Sequence, residues 1–145
     1  MRIAVMAVLV VAMFSIMGCA GKASPPPAPE VQTVEVSYSD LLNQKRAHRD
    51  IDLAAGQTLR VILGANASTG YRWAEDAQIS NTAVLVQTGH VAVASPNAGP
   101  GSAGTEMWTF SALQPGRATI TTTYGRPWPG GEKDAWTFTA AVTVR

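Results

Sequence analysis

The sequence predicts an all-β domain, and three features support that prediction. Near the C-terminus, apolar side chains alternate with threonine, alanine and arginine at Trp136, Phe138, Ala140, Val142 and Val144. A period of two residues indicates a strand with one buried and one solvated face. Pro115 and Gly116 in "LQPGRA" predict a tight turn between two strands. Many such short segments in one chain favour a two-sheet sandwich, immunoglobulin-like in general shape, here without the paired cysteines of antibody domains.

Other segments show the same alternation. In chain order they are "VEVSY", "DIDLAAGQTLRVIL", "TEMWTF" and "RATITTTY". The residues expected on one face of a strand are Val34, Val36 and Tyr38; Ile51 and Leu53; Leu59, Val61 and Leu63; and Ala118, Ile120, Thr122 and Tyr124. The one helix-like candidate is the short segment "SYSDLLNQKRAHR", residues 37–49.

The N-terminal residues have the features of an export signal. Arg2 precedes an apolar run at 3–17, which is shorter than the roughly 20 residues that a membrane span needs. The run ends in "SIMGCAG", which resembles the lipobox of bacterial lipoproteins and implies lipidation of Cys19. The resemblance implies an exported protein, lipid-anchored to the bacterial cell envelope at the outer membrane or cell surface. The alternatives are an ordinary secretory signal with a chance cysteine and an N-terminal membrane anchor.

The rest of the chain is expected to form a stalk and one domain. Residues 1–18 are interpreted as the signal peptide, and 19–30 as the lipidated cysteine followed by a proline-rich stalk with extended backbone. Residues 31–145 are long enough to bury one core and are expected to be one domain. Cys19 is the single cysteine, so this domain has neither a disulfide nor a thiol nucleophile.

Composition and spacing argue against several function classes. Without Arg2, ten basic residues balance ten acidic ones and form no basic block, so nucleic acid is not an expected partner. The basic cluster "QKRAHR" is expected to be a solvated loop face. His48 and His90 lie too far apart in sequence to suggest a metal site, and no nucleophile motif marks a Ser–His–Asp triad. We therefore expect no metal, no cofactor and no enzymatic activity.

Three segments interrupt the strand pattern and are rich in glycine, proline, serine or asparagine. They are 64–70, 94–104 and 125–134. They join alternate pairs of predicted strands, so in a sandwich they can share one end. Loops held on a rigid scaffold are common binding surfaces, and we expect these three to form one.

Short motifs in these segments resemble the chagasin-type inhibitors of papain-like cysteine proteases. "NASTGYRW" is similar to the family's N-P-T-T-G-Y motif, "GSAGTEMWTF" to its G-x-G-G loop and the following strand, and "RPW" to its R-P-W-E loop. The motifs occur in the family's order over about 51–145, and "LQPGRATI" is also similar. The resemblance implies an immunoglobulin-like sandwich.

The resemblance also implies a role for each loop. Ser68 and Thr69 stand where the family's two threonines approach the catalytic cysteine and histidine, with Asn66 and Gly70 shaping that loop. Gly101, Ala103 and Gly104 are implied to lie along the unprimed side of the cleft as extended backbone. Trp128 is implied to pack on an aromatic wall on the primed side, beside Arg126 and Pro127. The partner implied is a papain-like cysteine protease, of a host or of the bacterium itself, bound by a monomeric inhibitor.

The sequence departs from the family motifs at three positions: Ala67 replaces the proline of the first motif, Ala103 the third residue of G-x-G-G, and Pro129 the last glutamate of R-P-W-E. A non-inhibitory immunoglobulin-like module that binds another envelope partner is therefore the alternative. The environment of Trp128 separates the two hypotheses, because an exposed Trp128 close to Ser68, Thr69 and Gly104 favours the inhibitor. Tyr71, Trp73, Trp108 and Phe110 are expected in the core or on a sheet face.

Overall fold

The fold is a β-sandwich, seen in a computed structural model that describes residues 24–26, 28–96 and 99–145. The described residues form nine strands and one α-helix. In chain order they are β1 (Val31–Val36), α1 (Tyr38–Asn43), β2 (Arg46–Leu53), β3 (Thr58–Ala65), β4 (Arg72–Trp73), β5 (Gln78–Ile79), β6 (Leu85–Val93), β7 (Gly104–Ala112), β8 (Gly116–Gly125) and β9 (Trp136–Val144). The predicted all-β sandwich is confirmed.

The strands form two sheets. One has the order β1-β3-β7-β6, and the other the order β2-β9-β8-β4, with β5 also pairing with β8. The pairs β1–β3 and β2–β9 are parallel, whereas the other pairs are antiparallel. The chain passes from the edge of the first sheet to the edge of the second through α1, so this crossover closes one side of the sandwich.

The core lies between the two sheets and is built by the alternating residues of the long strands. Its largest side chains include Trp73, Trp108, Phe110, Tyr124 and Phe138, all of which are buried. The indole N–H groups of Trp73 and Trp108 donate to the backbone oxygens of Gly64 and Glu75, at 3.0 and 2.9 Å. Because buried polar groups without partners are costly, these bonds let large indoles pack in the core. The sequence interpretation of Trp73, Trp108 and Phe110 as core residues agrees with this packing.

The segment between β1 and β3 differs from its sequence interpretation. The helix is shorter than 37–49, since it is capped by the Ser37 side chain and ends at Asn43. Tyr38 begins that helix and does not continue strand β1. The basic cluster is not a loop, because Arg46 to Arg49 form the first half of β2 and pair in parallel with β9. Buried Ala47 supplies the inward side chain there, while its neighbours Arg46 and His48 are exposed.

Strand β6 was not among the predicted strands. Its register with β7 shifts between Gln87 and Gly89, so its apolar residues do not keep a regular alternation in the sequence. The short strands β4 and β5 have only two residues each and carry too little pattern to be recognised.

Residues 1–18 and Cys19 lie outside the described residues. The described part of the proline-rich segment has no helix or strand before Val31, and its residues are exposed. No helix in the described part of the chain is both long and apolar enough to cross a membrane.

Candidate functional site

Three loops meet at one end of the sandwich. We define the first loop as 66–71, the second as 94–103 and the third as 126–135. The strands beside them end at the same level, since Ala65 pairs with Gly104, Val93 with Thr105, and Tyr124 with Trp136. The first and third predicted loops begin one or two residues early, because strands extend through Gly64 and Gly125, and the second ends one residue late, because β7 begins at Gly104.

The first loop is a single turn of 3₁₀ helix, Ala67–Thr69, and Asn66 caps it. The Asn66 Oδ1 atom accepts hydrogen bonds from the Ser68 backbone N–H at 3.2 Å and the Ser68 hydroxyl at 2.6 Å. Gly70 ends the turn with φ of 80°, a left-handed conformation that glycine adopts without steric cost. Asparagine and glycine thus fix the two ends of the turn and leave residues 67–69 exposed.

Asn66 also fastens the first loop to its neighbours. Its backbone N–H donates to the hydroxyl of buried Tyr124 in β8 at 3.0 Å, and so connects the two sheets. Its side-chain Nδ2 donates to the Gly101 backbone oxygen in the second loop at 3.1 Å. The predicted site residue Asn66 therefore contributes by holding the loops together.

The hydroxyl groups of Ser68 and Thr69 are both used inside the loop. The Ser68 hydroxyl donates to Asn66 Oδ1, and the Thr69 hydroxyl donates to the Asn66 backbone oxygen at 2.6 Å. Thr69 Oγ1 also accepts a longer bond from the Tyr71 N–H at 3.3 Å. Both residues are exposed, and the Ser68 oxygen retains acceptor capacity toward a partner.

The second loop joins β6 to β7 and lies beside the first loop, because β7 pairs with β3, the strand that leads into the first loop. Gly101 has φ of 85°, and a Cβ atom built on it would lie 4.0 Å from the Ser68 hydroxyl oxygen. At Gly104 a Cβ atom would lie only 2.6 Å from the Val93 backbone oxygen, so β7 can begin there only with glycine. Ala103 is partly exposed between them. The structure thus places the predicted residues of the second loop beside the first.

The third loop brings Trp128 onto the first loop. The Trp128 side chain is 47% exposed, the largest exposed aromatic group among the described residues. A Cβ atom on Gly70 would lie 2.6 Å from the indole Cη2, so the absence of a side chain at Gly70 makes room for the ring. Pro127 precedes it and is exposed. Trp128, Gly70 and Thr69 therefore form one continuous surface.

Arg126 lies behind that surface and joins the first and third loops. Its guanidinium carbon lies 4.6 Å from the centre of the Tyr71 ring and 5.8 Å from that of Trp128. Its Nη2 donates to the Thr69 backbone oxygen at 3.4 Å. Cation–π contacts of this kind contribute about 0.5–1 kcal/mol at exposed sites. Arg126 is thus placed to support Trp128.

Tyr71 is a second residue that crosses between these loops. Its hydroxyl donates to the Glu132 carboxylate of the third loop, and its ring stacks on that of Tyr124. The hydrogen bond to Glu132 raises the pKa of Tyr71 above its ordinary value. A tyrosine phenol is protonated at neutral pH, so Tyr71 can donate to Glu132 there.

Sequence interpretation did not identify two adjacent charged residues of the third loop, Glu132 and Lys133. Besides accepting from Tyr71, Glu132 lines a hollow of about 260 Å³ beside the first and third loops. Lys133 donates to two backbone oxygens of the third loop. The signal available was the sequence "GGEKD", where charged residues stand alone in a glycine-rich and proline-rich loop.

The described residues contain no group of three histidine, cysteine, aspartate or glutamate side chains arranged for a metal ion. His90 instead contacts buried Glu106, with 2.8 Å between Nε2 and Oε2. Glu106 also accepts from the Trp73 backbone N–H at 3.4 Å. The polar groups under the second loop therefore satisfy one another.

Two sequence comparisons find related proteins. The family model described as chagasin family peptidase inhibitor I42 matches residues 52–142. Amoebiasin-1 of Entamoeba histolytica is 30% identical over 106 residues, which cover 72% of this chain and 98% of amoebiasin-1.

Solved structures show the same fold. The cysteine protease inhibitor EhICP2 from Entamoeba histolytica superposes with a TM-score of 0.61 at 21% identity, covering 81% of this chain and all of that one. PbICP-C, solved in complex with falcipain-2, has a TM-score of 0.56 at 19% identity, covering 80% of this chain and 99% of the other.

Proposed function

The chain belongs to the chagasin family of peptidase inhibitors, and we propose that it is a reversible, competitive inhibitor of papain-like cysteine proteases. The observation that carries this proposal is the exposed Trp128 ring, packed against Gly70 at the end of the sandwich where all three loops meet. An exposed apolar ring gains free energy when a partner covers it, so the position of Trp128 among the three loops supports a binding surface at this end of the sandwich.

The three loops are proposed to enter the active-site cleft as a wedge. Ser68 and Thr69 face the catalytic cysteine and histidine, and the backbone at Gly101, Ala103 and Gly104 lies along the unprimed side. Trp128 packs on the primed side with Pro127 and Arg126. An interface of ordinary size, about 1,600 Å² in total, is sufficient for tight binding by three such loops.

Two properties of the loops support inhibition without cleavage. The first loop is a 3₁₀ turn with its hydroxyl donors used internally, so no extended peptide bond is offered there as a substrate. The contacts from Asn66 to Tyr124 and Gly101 hold the loops before binding, so little ordering entropy is lost on association.

The deciding experiment is a titration of a soluble form of the protein against papain and a cathepsin-L-like enzyme. We expect KM for a peptide substrate to rise with inhibitor concentration while kcat is unchanged, and the inhibitor to remain intact by mass spectrometry. If no papain-like enzyme tested is inhibited at micromolar concentration, the alternative of a non-inhibitory envelope interaction module is favoured.

We further propose that the protein is exported and lipid-anchored to the cell envelope through Cys19. The sequence "IMGCAG" after a short apolar run supports this. Mass spectrometry of the mature protein from bacterial membranes is expected to find acyl groups on an N-terminal Cys19, and Cys19→Ala is expected to abolish them. An unacylated, fully soluble natural protein contradicts the anchor but leaves the inhibitor proposal untouched.

A further inference from the structure

The third loop is closed by the side chain of Lys133. The Lys133 ammonium donates to the backbone oxygens of Arg126 at 2.6 Å and Trp128 at 2.8 Å. Two backbone bonds complete the closure: Arg126 N–H donates to the Glu132 oxygen at 2.7 Å, and Gly131 N–H to the Trp128 oxygen at 3.1 Å. Lys133 thus bonds both residues that flank Pro127.

Two prolines reduce the number of backbone donors in this loop. Pro127 and Pro129 have no backbone N–H, so two of the residues 126–130 cannot donate from the backbone. An ammonium group has three donors and can reach two oxygens at once. Lys133 bonds the Arg126 oxygen and adds a second donor to the Trp128 oxygen, which also accepts from the Gly131 N–H.

The third loop is also closely packed where Gly131 contacts Arg126 and Trp128. A Cβ atom built on Gly131 would lie 2.8 Å from the Arg126 backbone oxygen and 3.1 Å from Trp128 Nε1. The Arg126 guanidinium carbon lies 5.8 Å from the centre of the Trp128 ring. Trp128 is therefore held by its backbone oxygen through Lys133 and by its ring through Arg126 and Gly70.

We propose that Lys133 is a positioning residue that holds Trp128 in its protease-binding conformation before the protease arrives. The proposal rests on the proposed inhibitory function for its kinetic consequence, but the ordering of Trp128 in the free protein is independent of it. Without the ammonium, Trp128 samples conformations that do not bind. The apparent affinity then falls in proportion to the fraction that remains competent, which we expect to be about three- to tenfold.

Loss of the Lys133 bonds and loss of the Trp128 ring are expected to change the binding kinetics differently. Lys133→Met keeps the length of the side chain and removes its donors, so it is expected to lower the association rate with little change in dissociation. Lys133→Arg keeps charged donors and is expected to restore most of the association rate. Lys45→Met is the matched control, since Lys45 is an exposed lysine that lines the hollow beside Glu132, and among the described residues its ammonium makes no hydrogen bond to the third loop.

A second measurement needs no protease. The indole N–H signals of the four tryptophans are recorded by NMR relaxation, and Trp128→Phe identifies the Trp128 signal. We expect the Trp128 order parameter to fall in Lys133→Met, to recover in Lys133→Arg and to stay unchanged in Lys45→Met. If Lys133→Met leaves the order parameter unchanged, the proposal is overturned. If the order parameter falls as expected while the wild-type protein inhibits no protease, the positioning role stands and the inhibitory function fails.

Discussion

At the scale of single residues, Asn66 shows how one side chain organises a binding surface. It caps the first loop with Oδ1, bonds the second loop with Nδ2 and reaches the opposite sheet through its backbone N–H. An aspartate could accept the same capping bond but has no N–H to donate to Gly101, and a serine is too short to do both. The requirement for asparagine therefore follows from its having a donor and an acceptor on one planar group.

Trp128 is the residue whose removal is expected to weaken inhibition most. Large aromatic anchors in an interface are common hot spots, so Trp128→Ala is expected to cost about 2–4 kcal/mol of binding free energy, mostly through faster dissociation. Inhibition constants and dissociation rates against papain measure this.

The control is Leu113→Ala, which truncates a similarly exposed apolar residue in the turn between β7 and β8, at the other end of the sandwich. We expect that variant to inhibit like the wild type. If Trp128→Ala is also neutral, the third loop does not enter the cleft as proposed, although the protein can remain an inhibitor.

Individual residues were predictable from the sequence to different degrees. Exposure of Trp128 followed from its prolines and glycines, which exclude it from a strand. The internal bonding of the Ser68 and Thr69 hydroxyls could not be predicted, because a short hydroxyl side chain can bond either its own turn or a binding partner. Lys133 was missed since its acceptors, the oxygens of Arg126 and Trp128, are backbone groups that no motif records.

At the scale of elements, the first loop is a turn whose conformation is set at both ends. Asn66 at its start is extended, with φ of −134° and ψ of 94°, and Gly70 at its end is left-handed. Between them, Ala67 occupies the first helical position. Among the described residues, no hydrogen bond is donated by the Ala67 N–H, whereas its backbone oxygen accepts from Gly70.

These features predict that Ala67→Pro is tolerated and strengthens inhibition. The first position of a helical turn accepts proline readily, and the residue before a proline favours an extended backbone, as Asn66 has. The substitution is expected to raise the free energy of unfolding by about 0.4–1 kcal/mol by restricting the unfolded chain. Urea unfolding and inhibition constants against papain test the two effects.

Ser68→Pro provides the contrast, because the Ser68 N–H donates to Asn66 Oδ1 and proline removes that bond. We expect it to weaken both stability and inhibition. A loss of inhibition in Ala67→Pro would mean that the protease binds a first loop with a different backbone conformation.

Strands were predictable from the sequence wherever the alternation was unbroken, as in β8 and β9. The C-terminal boundary of α1 could not be predicted, because "SYSDLLNQKRAHR" has helix-compatible residues throughout. What ends the helix at Asn43 is pairing of the following residues with β9, about ninety residues later in the chain. A long-range contact of this kind leaves no local signal.

At the scale of the whole molecule, the site depends on the order of strands in two sheets. The three loops converge because β3, β7 and β6 are adjacent in one sheet and β4, β8 and β9 in the other, while Tyr124 joins the sheets beneath them. The sequence predicted two sheets and a shared end for the loops. It did not predict the parallel pairs at the edges, since β1 and β2 pair with strands that are not their neighbours in sequence.

The domain is predicted to begin at strand β1, so that a chain starting at Val31 folds alone and one lacking β1 does not. Starting at Val31 removes two hydrogen bonds, from Thr58 N–H and Gln57 Nε2 to Glu30, at an expected cost of about 0.5–1.5 kcal/mol each.

Starting at residue 37 removes the whole strand, including buried Val36 and the partly buried Val34 that packs against the core. Full burial of one valine is worth about 1.5–3 kcal/mol and the partly buried Val34 adds less, but together they are a substantial part of the roughly 5–15 kcal/mol that stabilises a typical domain. Urea unfolding followed by circular dichroism measures this. We expect a cooperative transition for chains starting at 24 and at 31, with midpoints close together. For the chain starting at 37 we expect a strongly lowered midpoint or no transition. An unchanged midpoint in the shortest chain would mean that β1 is an appendage to the sandwich and that the inhibitor domain begins after it.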